Sequence, residues 1–191
     1  MVYYSIDIDK RQPVIVVLAI VSVSVAIWME QFAPPYFEAP SAMGLFALLF
    51  WTFNKYLWKV DFIRKILGVP NLNGKWKGIL NRTDYDKEID EKGIEVSLSI
   101  TQTWTKVSFV LENNDENSIS GRTRSFSKVV GFFIEDRNVV IIRDIFEFQG
   151  EQGGARGLAE WRVYNENDKQ SLRCTYFSSA LRSGSIDLER V

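Results

Sequence analysis

Six side chains in the last two-thirds of this 191-residue chain could together hold a small polar guest: Arg82, Thr123, Ser125, Arg156, Tyr176 and Arg182. A guanidinium offers a planar fork for phosphate oxygens, and an aromatic ring offers a face for stacking. Short hydroxyl side chains leave room and still donate or accept a hydrogen bond. This is the chemistry of binding rather than turnover. The chain has no histidine, so the commonest general base, proton shuttle and metal ligand is missing. Its one cysteine, Cys174, can form neither an internal disulfide nor a zinc site. No motif for Ser, Thr, Lys or carboxylate catalysis stands out. The reading is of a protein that is not an enzyme, with no catalytic residues, no metal and no cofactor.

These six residues sit in a segment whose apolar residues recur with a period of two. Ile94, Val96, Leu98 and Ile100 alternate with Glu95, Ser97, Ser99 and Thr101, and Val107, Phe109 and Leu111 repeat the pattern. Such alternation marks antiparallel strands with one buried face. It predicts eight strands near 74–82, 94–103, 106–112, 118–134, 138–149, 157–164, 170–178 and 184–191, separated by turn signals such as Asn113-Asn114-Asp115 and Ser183-Gly184. The fourth is too long for one regular strand, and Gly131 is the expected bend or bulge. Eight short strands on short connections point to an all-β soluble domain, an eight-stranded antiparallel up-and-down β-barrel; a two-sheet sandwich is the rival.

An even strand number places the first and last strands side by side. The connection Asn81–Gly93 and the loops 112–117, 149–157 and 178–183 then share one end, the mouth. Arg82, Arg156 and Arg182 fall on or beside that end. Strand parity turns Gly121, Thr123 and Ser125 inward if Ile119 is inward. Cys174 and Tyr176 follow on the seventh strand, and Asp144, Phe146 and Phe148 on the fifth. The opposite end begins with Gly74-Lys75-Trp76, the G-x-W that opens lipocalin-like barrels, and Arg190 is placed to lie over that indole. From Leu72 onward there are 17 basic and 19 acidic residues. That balance argues against a general DNA or RNA binder, which needs a basic surface, while a small anion held by a few arginines remains compatible.

Residues 1–71 are a different polymer. Pro13–Met29 and Ala42–Trp58 are apolar runs of 17 residues each, the short limit for a membrane span. Between them Pro34, Pro35 and Pro40 force a turn. The expected organisation is a two-helix transmembrane hairpin with a juxtamembrane helix over Val60–Leu67, stopped by Gly68 and Pro70, followed by the barrel over 72–191. Lys10 and Arg11 precede the first run, Lys55, Lys59, Arg64 and Lys65 end or follow the second, and the loop has no Lys or Arg. The positive-inside rule then puts both termini and the barrel in the cytoplasm. A cleaved signal peptide competes for the first run, and two core helices of a globular protein compete for the pair.

Two N-terminal runs, then Leu72-Asn73-Gly74-Lys75-Trp76-Lys77-Gly78, then Tyr176-Phe177-Ser178 and Arg182-Ser183-Gly184-Ser185-Ile186-Asp187-Leu188-Glu189-Arg190 together resemble the membrane-anchored, lipocalin-like β-barrel effectors of CBASS antiphage immunity. The resemblance implies a receptor whose barrel binds a cyclic dinucleotide made by a partner nucleotidyltransferase. Ligand would drive homo-oligomerisation, and the spans would then disrupt the bacterial inner membrane and its lipid. Related barrels often carry tyrosines on the strand that here reads Asp144-Ile145-Phe146-Glu147-Phe148, so contacts carried over there lose hydroxyls. The alternatives are a membrane-tethered binder of a lipophilic small molecule and an anchor that recruits a protein.

Overall fold

The computed structural model describes residues 2–6, 11–32, 34, 40–84, 90–113, 123–136, 139–150, 153–166 and 169–191. Two compact units result. One takes in the N-terminal strand and everything from Leu72 to Val191, and the other lies within Ile8–Asn71.

The first unit is a closed barrel. After β1 (Val2–Ile6) come β2 (Gly74–Asp84), β3 (Asp90–Gln102), β4 (Lys106–Asn113), β5 (Thr123–Asp136), β6 (Val139–Gly150), β7 (Gly153–Glu166), β8 (Lys169–Ser178) and β9 (Arg182–Arg190). Strands β2 to β9 pair antiparallel in chain order and β9 closes onto β2, Trp76 opposite Arg190 through Asp84 opposite Arg182. All eight expected strands are present in the expected order, most of them longer at one or both ends. The alternation works as read: Ile94, Val96, Leu98 and Ile100 are all buried. They join Trp76, Val107, Phe109, Val130, Phe132, Ile142, Trp161, Val163, Leu172, Ile186 and Leu188 in one core.

Two features depart from the expectation. The bulge in β5 falls not at Gly131 but at Lys128, where the register slips between Ser127 and Val129 against β6. Lys128 stands on the outer wall, 2.9 Å from Glu147, while Gly131 stays in register opposite Arg143. An extra residue reverses the side-chain parity of everything after it, so Ser125 and Ser127 line the interior before the bulge, and Val130 and Phe132 after it.

The second departure is β1 itself, a ninth strand that the sequence reading left inside residues 1–71. β4 and β5 pair only from Val110 to Asn113. Below that they separate, and β1 enters the gap, antiparallel to β4 at Val2 and Tyr3 and parallel to β5 from Tyr4 to Ile6. Without it the backbone groups along the gap would be an open sheet edge.

One end of the barrel is shut by polar side chains used as clasps. Leu72 N–H donates to Gln102 Oε1 at 3.0 Å, and Asn73 exchanges bonds with the Gln102 backbone at 2.7 and 3.0 Å. Trp76, wholly buried, donates its Nε1–H to the Leu72 carbonyl at 3.0 Å. The Arg190 guanidinium lies 5.7 Å from the centre of that indole and bonds the Asn73 carbonyl and Gln170. The expected Trp76–Arg190 pair is therefore in place, and the barrel can be open at the other end only.

The second unit holds α1 (Arg11–Phe32), α2 (Ala42–Lys55), a short 3-10 turn (Leu57–Lys59) and α3 (Asp61–Leu67). Among the described residues α1 is the one helix long and apolar enough to cross a membrane. Ser22 turns its hydroxyl back onto the Leu18 carbonyl at 2.6 Å, which hides its polarity. α2 begins at Ser41, whose side chain accepts from Gly44 N–H. It has 14 residues, at about 1.5 Å each short of the roughly 30 Å of a hydrocarbon core. It ends where the polar pair Asn54-Lys55 begins to win over the apolar run, three residues before the expected limit at Trp58. α3 is stopped by Gly68, which takes φ 70° and returns its N–H to the Arg64 carbonyl.

Candidate functional site

Above Trp76, Val163, Leu172 and Leu188, a cavity opens toward the end where β2 meets β9 at Arg82 and Arg182. Its atom-free space, mouth included, is about 830 Å³. Arg82, Ser125, Tyr176 and Arg182, all singled out from sequence, line it. Arg82 is 6% exposed, and it sits opposite Gly184 in the β2–β9 ladder. Two residues along, Arg182 pairs with Asp84. The two arginines thus occupy successive inward positions on neighbouring strands, a spacing suited to two separate phosphate groups.

Glycine makes the aromatic wall possible. Tyr176 is opposite Gly184 and Phe146 opposite Gly157. A Cβ at Gly184 would come within 2.9 Å of the Tyr176 ring and 2.2 Å of the Asn81 carbonyl oxygen, and one at Gly157 within 2.3 Å of the Phe146 ring. Each ring therefore lies down on bare backbone, as aromatics do across from strand glycines. The two meet edge to face, centroids 6.2 Å apart. Deeper in, Phe109 and Trp161 stack at 5.9 Å and 6°.

Arg156 and Thr123 are placed differently. The Arg156 side chain is 78% exposed on the outer wall, 3.5 Å from Glu147, and does not line the cavity. Lys128 and Arg156 together hold the Glu147 carboxyl below its ordinary range. Thr123 opens β5 opposite Gly150; its side chain, and Ile119 and Gly121, lie outside the described residues.

The structure adds Ser127, Asp144, Trp161, Asn113 and Ser178 to the lining. Ser127 shares the parity of Ser125 and was reachable by counting. Trp161 reads from sequence as an apolar core residue of its strand and carried no polar signal. Asp144, recognised only as inward-facing, is 3% exposed. Ser127 Oγ donates to its Oδ2 at 3.1 Å. Burial pushes its carboxyl up to about 7, against the opposite pull of the Ser127 hydroxyl and the Trp161 indole. Geometrically that indole closes no full hydrogen bond, since Asp144 Oδ1 and Trp161 Nε1 are both left without a partner. Cys174, buried beside them, has its thiol pushed up by burial and then by the Asp144 and Glu160 charges; it is a small inward filler rather than a nucleophile.

A pH dependence of stability follows. The folded state holds a proton on Asp144 up to about pH 7, whereas an unfolded chain releases it near 3.8. The native state binds more protons between those values, so stability falls as pH rises from about 4 to 7 and levels off above. At about 1.4 kcal/mol per pH unit the full effect is up to about 4 kcal/mol. Asp144→Asn is expected to flatten this slope and to be more stable than the wild type at pH 8; urea unfolding at pH 4.5, 6 and 8 measures it.

An antiparallel barrel clasped shut at one end and open onto an arginine-rimmed, aromatic-walled cavity at the other has the form of a small-molecule-binding barrel. Residues 67–131, from the end of α3 through β4 and the first part of β5, match the family described as Cap15, cyclic dinucleotide receptor domain. The CD-NTase-associated protein 15 of Yersinia aleksiciae is 33% identical over 84 residues, which make up 44% of this chain and 38% of that protein. The chain therefore spans well under half the length of that relative. The ywiB protein from Bacillus subtilis, a solved structure, is 12% identical over 61% of this chain and 90% of its own, with a TM-score of 0.30. The resemblance to CBASS barrel effectors read from the sequence is borne out by the first two matches. Arg82, Ser125 and Ser127 fall inside the segment matched to the receptor family, and Asp144, Tyr176 and Arg182 beyond it.

Proposed function

We propose that the barrel is the receptor of an antiphage effector and takes a cyclic dinucleotide into its cavity. The observation that carries this is the arrangement of Arg82 and Arg182 on neighbouring strands with the Phe146 and Tyr176 rings in the same cavity. Two phosphates and two flat bases are what such a wall complements. Arg82, Ser125, Tyr176 and Arg182 are the contacts we assign inside, with Thr123 beside the rim; Arg156, on the outer wall, is assigned none. The match of residues 67–131 to a cyclic dinucleotide receptor family supports the same ligand class.

The N-terminal unit is the output in this reading. α1 leaves Ile15, Val16, Val17, Ile20, Val21, Val23 and Ile27 exposed on all sides, an apolar surface suited to lipid rather than water. α1 and α2 are in contact, so a short second span completed by the turn through Trp58 forms the hairpin, the helices within Ile8–Asn71 being the membrane module and β1 with Leu72–Val191 the cytoplasmic barrel. Both termini face the cytoplasm of a bacterial cell, the ligand comes from a partner nucleotidyltransferase, and ligand-loaded copies oligomerise and disrupt the inner membrane.

Because β1 is part of the barrel wall, the test uses the full chain, in detergent. A panel of cyclic dinucleotides is added and the melting temperature followed. A ligand at 100 times its Kd stabilises by about 2.7 kcal/mol, a rise of several degrees for a domain of this size. A rise with one or two members, accompanied by assembly in sizing experiments, is the expected result; no rise with any member sinks the reading. A co-purifying acyl chain seen by mass spectrometry would favour a lipophilic guest, for which Ile94, Val96, Leu98 and Leu111 supply an apolar wall.

A further inference from the structure

Among the described residues, three buried polar atoms of the cavity lining have no partner: Ser178 Oγ, Asp144 Oδ1 and Trp161 Nε1. Above about pH 7, where Asp144 is ionised, its Oδ1 is an acceptor without a donor, and Trp161 Nε1–H is a donor without an acceptor. Both side chains are at least 97% buried and both line the cavity. Buried polar atoms without partners are rare in folded proteins and call for an explanation. The wall gives Oδ1 no full hydrogen bond: the Trp161 indole beside it pulls on the carboxyl without closing one. On β5, Ser127 already donates to Oδ2; on β7, Ala159 lies opposite Asp144 and brings only carbon; on β8, Cys174 offers a weak sulfur donor at most. Lys128, Arg143 and Glu160 belong to the outer wall, where they pair among themselves and with Glu147.

An acceptor next to a donor is the complement of a nucleobase edge on which an exocyclic amino group adjoins a ring nitrogen or carbonyl. We propose that Asp144 is the base-reading residue of the cavity: its Oδ1 accepts an N–H from the amino group of a nucleobase, and Trp161 Nε1–H donates to the neighbouring ring acceptor. This rests on the cavity being a cyclic dinucleotide site and adds the part that discriminates among bases. Stacking and phosphate contacts are indifferent to base identity, whereas a buried acceptor left unpaired by the wrong base rejects it. In the pose that sets an amino group on Oδ1, uracil and hypoxanthine would bring a carbonyl oxygen there instead, acceptor against acceptor.

Calorimetric titration of the full chain tests it, using cyclic dinucleotides carrying adenine, guanine or cytosine, each against its deaminated counterpart. For the member that binds, deamination is expected to weaken the wild type tenfold or more. In Asp144→Leu, which has no acceptor, the same change should matter less than threefold. Asp144→Asn, which keeps a carbonyl acceptor, should retain much of the preference. If the leucine variant does not fold, Asp144→Ala removes the acceptor without filling the space. An equal effect of deamination on the wild type and on the acceptor-free variant overturns the assignment to Asp144 while leaving the binding reading intact. Failure of every member of the panel to bind the wild type overturns both.

Discussion

Replacing Arg82 and Arg182 together by alanine is expected to weaken cyclic dinucleotide binding by a hundredfold or more and leave the barrel closed. Each guanidinium would make charge-assisted bonds to a phosphate, worth about 1.5–3 kcal/mol apiece. Two such losses amount to roughly 3–6 kcal/mol, and every 1.4 kcal/mol is tenfold in Kd. The fold should survive because neither side chain belongs to the apolar core, which is built from Trp76, Leu98, Ile142, Leu172 and their neighbours. Circular dichroism and a melting curve establish that, and calorimetry reads the affinity. Arg156→Ala is the contrast: its guanidinium stands on the outer wall against Glu147, and it should change affinity by less than threefold. Equal losses from the inner pair and from Arg156 would mean that the arginines act through overall charge and not as a clamp. Arg82→Lys should recover only part of the binding, because an ammonium keeps the charge and loses the fork.

Trp76→Ala should be the most destabilising single change in the barrel, at about 3–5 kcal/mol. The ring is wholly buried at the closed end, its N–H holds the Leu72 carbonyl, and Arg190 covers its face. Deleting it leaves a void and also unfastens the clasp formed with Asn73 and Gln102. Trp76→Phe separates the two contributions. It retains most of the buried surface and leaves the Leu72 carbonyl without its donor, a cost of about 1–3 kcal/mol. Urea unfolding of both variants gives the numbers. A loss below about 1 kcal/mol for Trp76→Ala would show that the closed end does not depend on this residue.

Much of the site was legible because a strand has a period of exactly two residues and leaves little choice. Once Trp76, Gly78 and Leu80 were inward, Arg82 had to be; Arg182, expected on or beside the 178–183 loop, belongs to the same count from Ile186 because β9 begins at Arg182. Ser125 followed from its own strand. Counting fails at a bulge. Lys128 shifts β5 by one residue, and nothing in Ser127-Lys128-Val129 announces it. Counting also needs the strand's true start: Arg156 was grouped with the rim because the strand was expected from 157, whereas β7 begins at Gly153 and its alternation turns Arg156 to the outer wall.

The N-terminal strand shows the other limit. Val2, Tyr3, Tyr4 and Ile6 are good strand residues, yet five residues have no meaning as a strand until an edge is available. That edge exists because β4 and β5 separate below Val110 and Phe126, a fact about the curvature of the finished barrel.

From its residues alone, this chain determined an apolar N-terminal helix, eight strands in order, a closed end built on Trp76 and Arg190, and an interior with arginines at one end. These are consequences of periodicity and burial, which are local. Tertiary structure decided which groups share the cavity, that β1 completes the wall, and that Asp144 and Trp161 face it with unmatched polar atoms. Those properties depend on the partners that packing supplies or withholds, and a single strand does not carry that information.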